Sequence, residues 1–348
     1  MWTSRLFCDH IAIGCHGKPK VVYMGATGPT LGAVFEARRR IGGLALRMPP
    51  IRSESLSART GAEMLLKLET VQPTGSFKIR GATNALLALG VEERRRGVVT
   101  ASTGNHGRAL AYAARELGIP ATVCLSSLVS EQKVAAIAAL GATVCRVGRS
   151  QDEAMAEVAR AVAERGLIEV PPFDDVSVIA GQGTIGLELV EDRPDLDTIL
   201  VPLSGGGLAG GIALAAKSIK PSLRVIGISM QQGAAMHASL AAGRPVEATE
   251  VPTLADSLGG GIGLANRWTF DLCRRLLDAV VLVSEREIAR GMAHFLFEER
   301  LVAEGASAVT AAAILAQKIV PRGPTALVVS GSNVERERLA AIAAASPS

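Results

Sequence analysis

The chain has 348 residues, 48% hydrophobic and 20% charged, which excludes a disordered polymer and suits two domains with sizeable cores. A formal net charge of only +4 and an aromatic content of 3% leave neither a strongly basic footprint nor the base-stacking platforms of a nucleic-acid binder. No apolar run approaches the ~20 residues of a membrane span, so no membrane partner is expected. Five scattered cysteines, an odd number, read as reduced thiols of a cytoplasmic protein.

Residues 1–23 read as an extension of unknown role, without the continuous apolar stretch and cleavage site of a signal peptide. Cys8, His10, Cys15 and His16 are zinc-ligand types, but they crowd together without the spacer that separates ligand pairs, so a structural zinc is not expected. The clusters Arg38–Arg40 and Arg94–Arg96 follow helical patterns and read as solvated faces. Between them lies PTGSFKIRGA, which sets Lys78 between Phe77 and Ile79 after a turn. A lysine there is either a surface side chain whose stem covers apolar neighbours or a desolvated amine fit to form a Schiff base.

From about residue 97 short apolar runs alternate with helical patterns: GVVTAS, GRALAYAARELG, PATVCL, EQKVAAIAALG, ATVCRVG and QDEAMAEVARAVAERG. That alternation predicts parallel strands joined by helices. EVPPFDDVSVIAGQGT, with two prolines, reads as a crossing between domains. DTILVPL, LRVIGISM, AVVLVS and TALVVSGS continue the strand series, with GLAGGIALAAKSIK and a long helical tract from Ser284 to Lys318 between them. The class is α/β, with an open, mostly parallel sheet in each domain. The expected division is 24–95 with 175–340 as a large domain and 96–174 as a small one.

Three strand ends carry chemistry. DTILVPLSGGGLAGG turns from strand to helix through Ser204, Gly205, Gly206, Gly207 and Leu208, where backbone N–H groups and a helix N-terminus suit a phosphate; the alternative is a plain glycine turn. Residues 205–210 also satisfy G-x-G-x-x-G, which raises an NAD(P)-binding oxidoreductase. That reading needs an acidic residue closing the next strand, and LRVIGISM closes on Ser229 and Met230. TASTGNHGRALAYAA gathers Ser102, Thr103, Gly104, Asn105 and His106 at a helix start, either as an anion-holding cradle or as an ordinary polar cap. VVSGSN places Ser330 after a buried strand. A phosphate cradle, polar strand ends and an apolar-flanked lysine together call for an aldehyde cofactor with a phosphate, and pyridoxal 5'-phosphate fits.

LKLETVQPTGSFKIRGA, STGNHGRALAYAA, PFDDVSVIAGQGTIGLE, VPLSGGGLAGG and VVSGSN, in this order and spacing, resemble the fold-type II pyridoxal-phosphate enzymes of the threonine and serine dehydratase and serine racemase family, from about Thr30 to Asn333. The resemblance implies a tryptophan synthase beta-like fold with the cofactor between two α/β domains, and a homodimer. It implies that Lys78 carries the Schiff base, Phe77 lies against the ring, Asn105 bonds the ring hydroxyl, Ser204 to Leu208 hold the phosphate, and Ser330 meets the pyridine nitrogen. Ser102, Thr103, Gly104 and His106 would surround the carboxylate of an amino-acid substrate.

A neutral hydroxyl at Ser330 cannot hold the pyridine nitrogen protonated, so the ring is a weaker electron sink and loss of a β-leaving group is favoured over a long-lived carbanion. The implied reaction is removal of the α-proton by the Lys78 amine and departure of a β-hydroxyl as water, assisted by the cofactor phosphate, giving a keto acid and ammonia.

The chain departs from the family pattern in places. Thr103 stands where racemases usually have a serine, which ranks racemisation second. SMQQGAAMHA puts Ser229 and Ala235 at the positions of a cation-binding acidic pair, so no metal site is expected. That stretch, ADSLGGGIGL and Arg108 resemble the hydroxyectoine-utilisation branch. Arg108 either faces solvent, capping carbonyls, or meets an anionic group at the far end of the substrate.

Overall fold

The computed structural model describes residues 28–345 except 103 and 130. The zinc-type cluster at Cys8 to His16 and the Thr103 call lie outside the described residues. The strands are β1 (Ile51–Arg52), β2 (Met64–Leu68), β3 (Val98–Ala101), β4 (Ala121–Leu125), β5 (Thr143–Arg146), β6 (Ile168–Glu169), β7 (Thr198–Pro202), β8 (Arg224–Met230), β9 (Ala279–Val283) and β10 (Thr325–Val329). Six form one sheet in the order β1-β2-β10-β7-β8-β9, and four form a second in the order β5-β4-β3-β6. Every pairing is parallel except the short β1–β2 edge.

Parallel strands joined by helices are covered on both faces, which is why these segments are continuous apolar runs. Alternate residues serve opposite faces. Leu66, Leu68, Leu327 and Val329 pack toward the helices Glu285–Phe297 and Gly305–Leu315. Leu65, Ala326 and Val328 pack toward Val176–Asp192, Gly207–Ile219 and Thr269–Leu276. In the smaller sheet Val98, Val123 and Leu125 meet the helix Asn105–Glu116, while Val99 and Cys124 meet Gln151–Arg165.

Two elements differ from the sequence reading. The tract from Ser284 to Lys318 is two helices, because Leu301 N–H turns back to the Phe295 carbonyl at 2.8 Å and Glu304 is extended at φ −70°, ψ 161°. The pair then pack closely: a Cβ on Gly291 would lie 2.5 Å from the Ala308 carbonyl oxygen. MLLKL, unassigned in the sequence, is the buried strand β2, and its Lys67 is fully buried.

Lys67 is tolerated inside because the charges close on one another. Its amine donates to Glu188 at 2.5 Å, and Arg80 donates to Glu69 through Nε at 2.8 Å and to Glu188 through a terminal nitrogen at 2.6 Å. Arg80 also reaches the Leu46 carbonyl and the Thr184 hydroxyl, each at 3.0 Å. Two cations against two anions leave no buried net charge, the condition under which such a cluster persists. It ties β2 to Val176–Asp192 and to the helix Lys78–Ala88, whose first residue is the lysine of interest.

Candidate active site

Lys78 opens its helix, and the turn before it is fastened to the end of β10. Phe77 N–H donates to the Ser330 carbonyl at 2.9 Å, Ser332 N–H donates to the Gly75 carbonyl at 2.9 Å, and Ser76 bridges Gly331. Gly75 has φ 69°, and a Cβ there would meet the Asn333 side chain at 2.9 Å, so the turn needs glycine on both counts. PTGSF and VVSGSN, far apart in the chain, are therefore one structure. The Lys78 amine donates to the Pro172 carbonyl at 2.6 Å and lies 5.3 Å from the centre of the Phe77 ring. Burial lowers its pKa to about 8, against a smaller opposing pull from Glu304. Lys78 is thus the desolvated amine rather than the surface lysine.

The turn after β3 delivers Asn105 and His106. Gly104 is exposed and serves as N-cap, Ser102 is half-buried, and Asn105 and His106 are buried. Asn105 donates through its amide nitrogen to Glu304 Oε1 at 2.8 Å and accepts from Asn333 at 2.6 Å. His106 Nε2 lies 2.9 Å from the Val170 carbonyl, which fixes the proton on Nε2 and leaves Nδ1 buried without a partner. Burial, then the charge of Lys78, pushes its pKa down to about 3, so the ring is neutral at ordinary pH and offers Nδ1 only as an acceptor.

The third strand end is Leu203 to Leu208. Gly206 has φ 88°, and a Cβ would meet Met236 at 2.7 Å and the Cys273 sulfur at 2.9 Å. A Cβ on Gly205 would lie 2.5 Å from the Phe173 ring. Bare backbone here leads into the positive end of the helix Gly207–Ile219, whose first N–H groups have no acceptor within the helix.

The crossing segment binds these parts together. Val170 contacts His106, Pro172 holds the Lys78 amine, and Phe173 walls the glycine turn. Asp174 accepts from Arg267, Trp268 and Thr269 N–H at 2.6, 2.9 and 2.9 Å, and Asp175 caps the helix Val176–Asp192. Ser330 is buried, with its hydroxyl 3.0 Å from that of Ser307.

The structure thus gathers Phe77, Lys78, Asn105, His106 and Ser330, with Ser204 to Leu208 joined through Pro172 and Phe173. Arg108 is half-buried one turn after Asn105; its Nε is buried without a partner, so it caps no carbonyl through that atom. Ser229 and Ala235 are both buried, and no group of metal-ligand residues occurs among the described residues. A separate cleft of about 340 Å³, lined by Arg224, Ala279, Lys318 and Arg322, opens at the opposite strand ends and includes none of these residues. Sequence reasoning missed Glu304 and the Pro172 carbonyl. Glu304 carried one usable signal, an acid between Val302-Ala303 and the small-residue run GASA.

Residues 43–331 match the family described as "Pyridoxal-phosphate dependent enzyme". A protein of Sinorhizobium fredii, provisionally named a threonine dehydratase, is 55% identical over 88% of this chain and 92% of its own length. An L-threonine ammonia-lyase of Thermotoga maritima is 42% identical over 88% of this chain and 76% of its own. The crystal structure of serine racemase from Dictyostelium discoideum superposes with a TM-score of 0.82 at 34% identity, covering 88% of this chain and 99% of that one. With its two mostly parallel sheets and the lysine at the head of Lys78–Ala88, the chain belongs to the fold-type II pyridoxal-phosphate-dependent enzymes.

Proposed function

We propose that the chain is a dehydratase that removes water from a β-hydroxy amino acid, threonine or serine, to yield a keto acid and ammonia. The observation that carries this reading is the pairing of a desolvated amine, Lys78, with a buried hydroxyl, Ser330, at the other end of one fastened turn. The names of the relatives support it. The residues fit the cofactor: the glycine turn admits no Cβ, the Lys78 amine is poised near neutrality, and buried polar atoms wait without partners. When bound, pyridoxal phosphate supplies an electron sink for the pair released at the substrate Cα.

The chain's own residues do the rest. Ser204 to Leu208 would hold the phosphate on backbone N–H groups. The Ser307 proton goes to the Gly331 carbonyl at 2.7 Å, so Ser330 is the donor of the pair at 3.0 Å, and its O–H would turn from Ser307 to the ring nitrogen without placing a positive charge on it. Phe77 would lie against the ring and Asn105 would offer its remaining amide proton to the ring oxygen. The Lys78 amine, with a pKa near 8, is suited to take the α-proton and return it. Ser102, Thr103 and Gly104 would receive the substrate carboxylate, with neutral His106 filling space beside them.

Racemisation remains the second reading, favoured by the likeness to a serine racemase. A finer substrate, a ring-opened hydroxyectoine derivative, rests on Arg108 and the stretches SMQQGAAMHA and ADSLGGGIGL; hydroxyectoine itself is a cyclic amidine without a primary amine. Arg108, one turn beyond Asn105, would meet an anionic group on a longer substrate. We also propose that the chain works as a homodimer in the cytoplasm, with residues 96–174 as the small domain; no helix among the described residues is long and apolar enough to cross a membrane.

The test is to supply threonine, serine, 3-hydroxyaspartate and ring-opened hydroxyectoine to the protein and its Arg108→Gln variant, and to measure keto acid and product chirality. Keto acid from threonine or serine, formed well ahead of any D-enantiomer, is expected. A KM increase for the acidic or extended substrate alone in Arg108→Gln supports the finer reading. Mainly D-enantiomer would reverse the ranking of the two reactions.

A further inference from the structure

Glu304 is the residue before the helix Gly305–Leu315 and stands at its N-cap. An acid in that position normally turns its side chain onto the first free N–H groups of the helix, which satisfies them and suits the helix dipole. Glu304 does not: it makes no side-chain cap, and only its backbone carbonyl accepts from Ser307 and Ala308. Its carboxyl points the other way, toward the fastened turns. Oε1 accepts from the Asn105 amide at 2.8 Å, and a Cβ on Gly331 would lie 2.9 Å from that same oxygen. Oε2 is buried and has no hydrogen-bond partner, in a residue only 3% exposed. No cation forms an ion pair with it among the described residues.

A carboxylate in this setting would be a buried charge with neutral donors alone, the Asn105 amide and the Asn333 N–H, and with Oε2 making no hydrogen bond, a state that proteins avoid by protonating the group. The bare oxygen of a protonated acid is instead a hydroxyl with a proton to give. Asn105 shows what that acid does. Asn333 donates to the Asn105 oxygen and Glu304 accepts from the Asn105 nitrogen, so the two neighbours together allow only one orientation of the amide. One Asn105 amide proton is engaged and the other is left for a ligand.

We propose that Glu304 is a neutral carboxylic acid that positions Asn105 for the cofactor and keeps an O–H donor in the same pocket. Asn105 needs only an acceptor there, which the carbonyl oxygen of the neutral acid supplies, and no ion pair compensates an anion at this point. The electrostatics agree. Burial raises the Glu304 pKa to about 8, with the Asn105 hydrogen bond opposing, Asp256 reinforcing, and the Asn333 N–H and the charge of Lys78 opposing. Asp256 is itself paired with Arg338 at 3.2 Å and His106 on the adjoining helix is neutral, so Lys78, which forms no ion pair with Glu304, is the cation that favours a carboxylate, and burial outweighs it.

This inference rests on the cofactor-binding reading above, and two substitutions separate the two claims. Glu304→Gln keeps an acceptor for Asn105 and a neutral donor on the second arm; Glu304→Ala removes both. Cofactor affinity and the visible absorbance of the bound cofactor would be titrated from acid to alkaline pH in the parent and both variants, with melting temperatures as a check on folding. Glu304→Gln is expected to bind within roughly threefold of the parent with an unchanged absorbance maximum, and to keep the pH dependence that the Lys78 amine imposes on binding. Glu304→Ala is expected to bind about tenfold or more weakly, the scale of one lost hydrogen bond to a buried partner. In the parent without cofactor, infrared difference spectra against Glu304→Gln should show a protonated carboxyl band at neutral pH. A Glu304→Gln variant as impaired as Glu304→Ala, or a carboxylate band in place of the acid band, overturns the proposal, as does unchanged binding in both variants. A parent that binds no cofactor would instead contradict the functional reading.

Discussion

At the level of single residues, Lys78 and Glu304 are strained in opposite senses by the same burial. The Lys78 pKa is lowered from 10.5 to about 8, so below pH 8 the folded protein holds an ammonium in a place that disfavours it. Between about 8 and 10.5 the unfolded chain binds more protons than the folded one, so this group makes stability rise with pH across that window. Glu304, raised from 4.5 to about 8, makes stability fall with pH between those values. Lys78→Met in the cofactor-free protein should therefore be more stable than the parent below pH 8, by on the order of 3 kcal/mol at most, with the gap closing toward pH 10.5. Denaturant melts at several pH values check this, and a gap that widens with rising pH would contradict it. Lys78 was legible because PTGSFKIRGA flanks an amine with apolar residues. The Pro172 carbonyl was not, since a main-chain oxygen leaves no trace in residue identity. Glu304 resembled one more surface charge in an acidic and basic stretch, and only its burial without an ion-pair partner distinguishes it.

At the level of elements, the site depends on three helices that approach with almost nothing between them. A Cβ on Gly181 would lie 2.6 Å from the Arg80 carbonyl oxygen, and one on Gly211 would lie 2.5 Å from that of Ile179. The helix Val176–Asp192 thus sets the separation between the helix headed by Lys78 and the helix headed by the glycine turn. Gly181→Ala forces backbone against backbone, and overpacking of this kind costs about 1–3 kcal/mol. The expected result is a lower melting temperature together with weaker cofactor binding. A variant that melts early but binds the cofactor as the parent does would show that the helix spacing does not set the site. The strands after residue 97 were readable from their apolar runs and glycine-bounded ends. MLLKL was not, because a lysine in the run masks a buried strand whose charge is cancelled by Glu188, a residue far away in sequence. The break in the tract from Ser284 to Lys318 escaped notice because no proline or glycine lies between Phe297 and Gly305.

At the level of the whole molecule, strand ends from two sheets are joined by one crossing segment that touches Lys78, His106 and the glycine turn. PFDDVSVIAGQGT read as a crossing and as a family stretch; its bonds to Lys78, His106 and the glycine turn became visible only when the chain was folded. The α/β class and the parallel sheets followed from periodicity, whereas the pairing of β2 with β10 joins segments too distant for any local pattern to reveal. All of this converges on one amine. Treating the cofactor-loaded protein with borohydride, which reduces a lysine–aldehyde linkage to a stable amine, and mapping the added mass by peptide sequencing tests that convergence directly. The account predicts a single modified peptide carrying the pyridoxyl group on Lys78, while modification of another lysine, or of none, would contradict it.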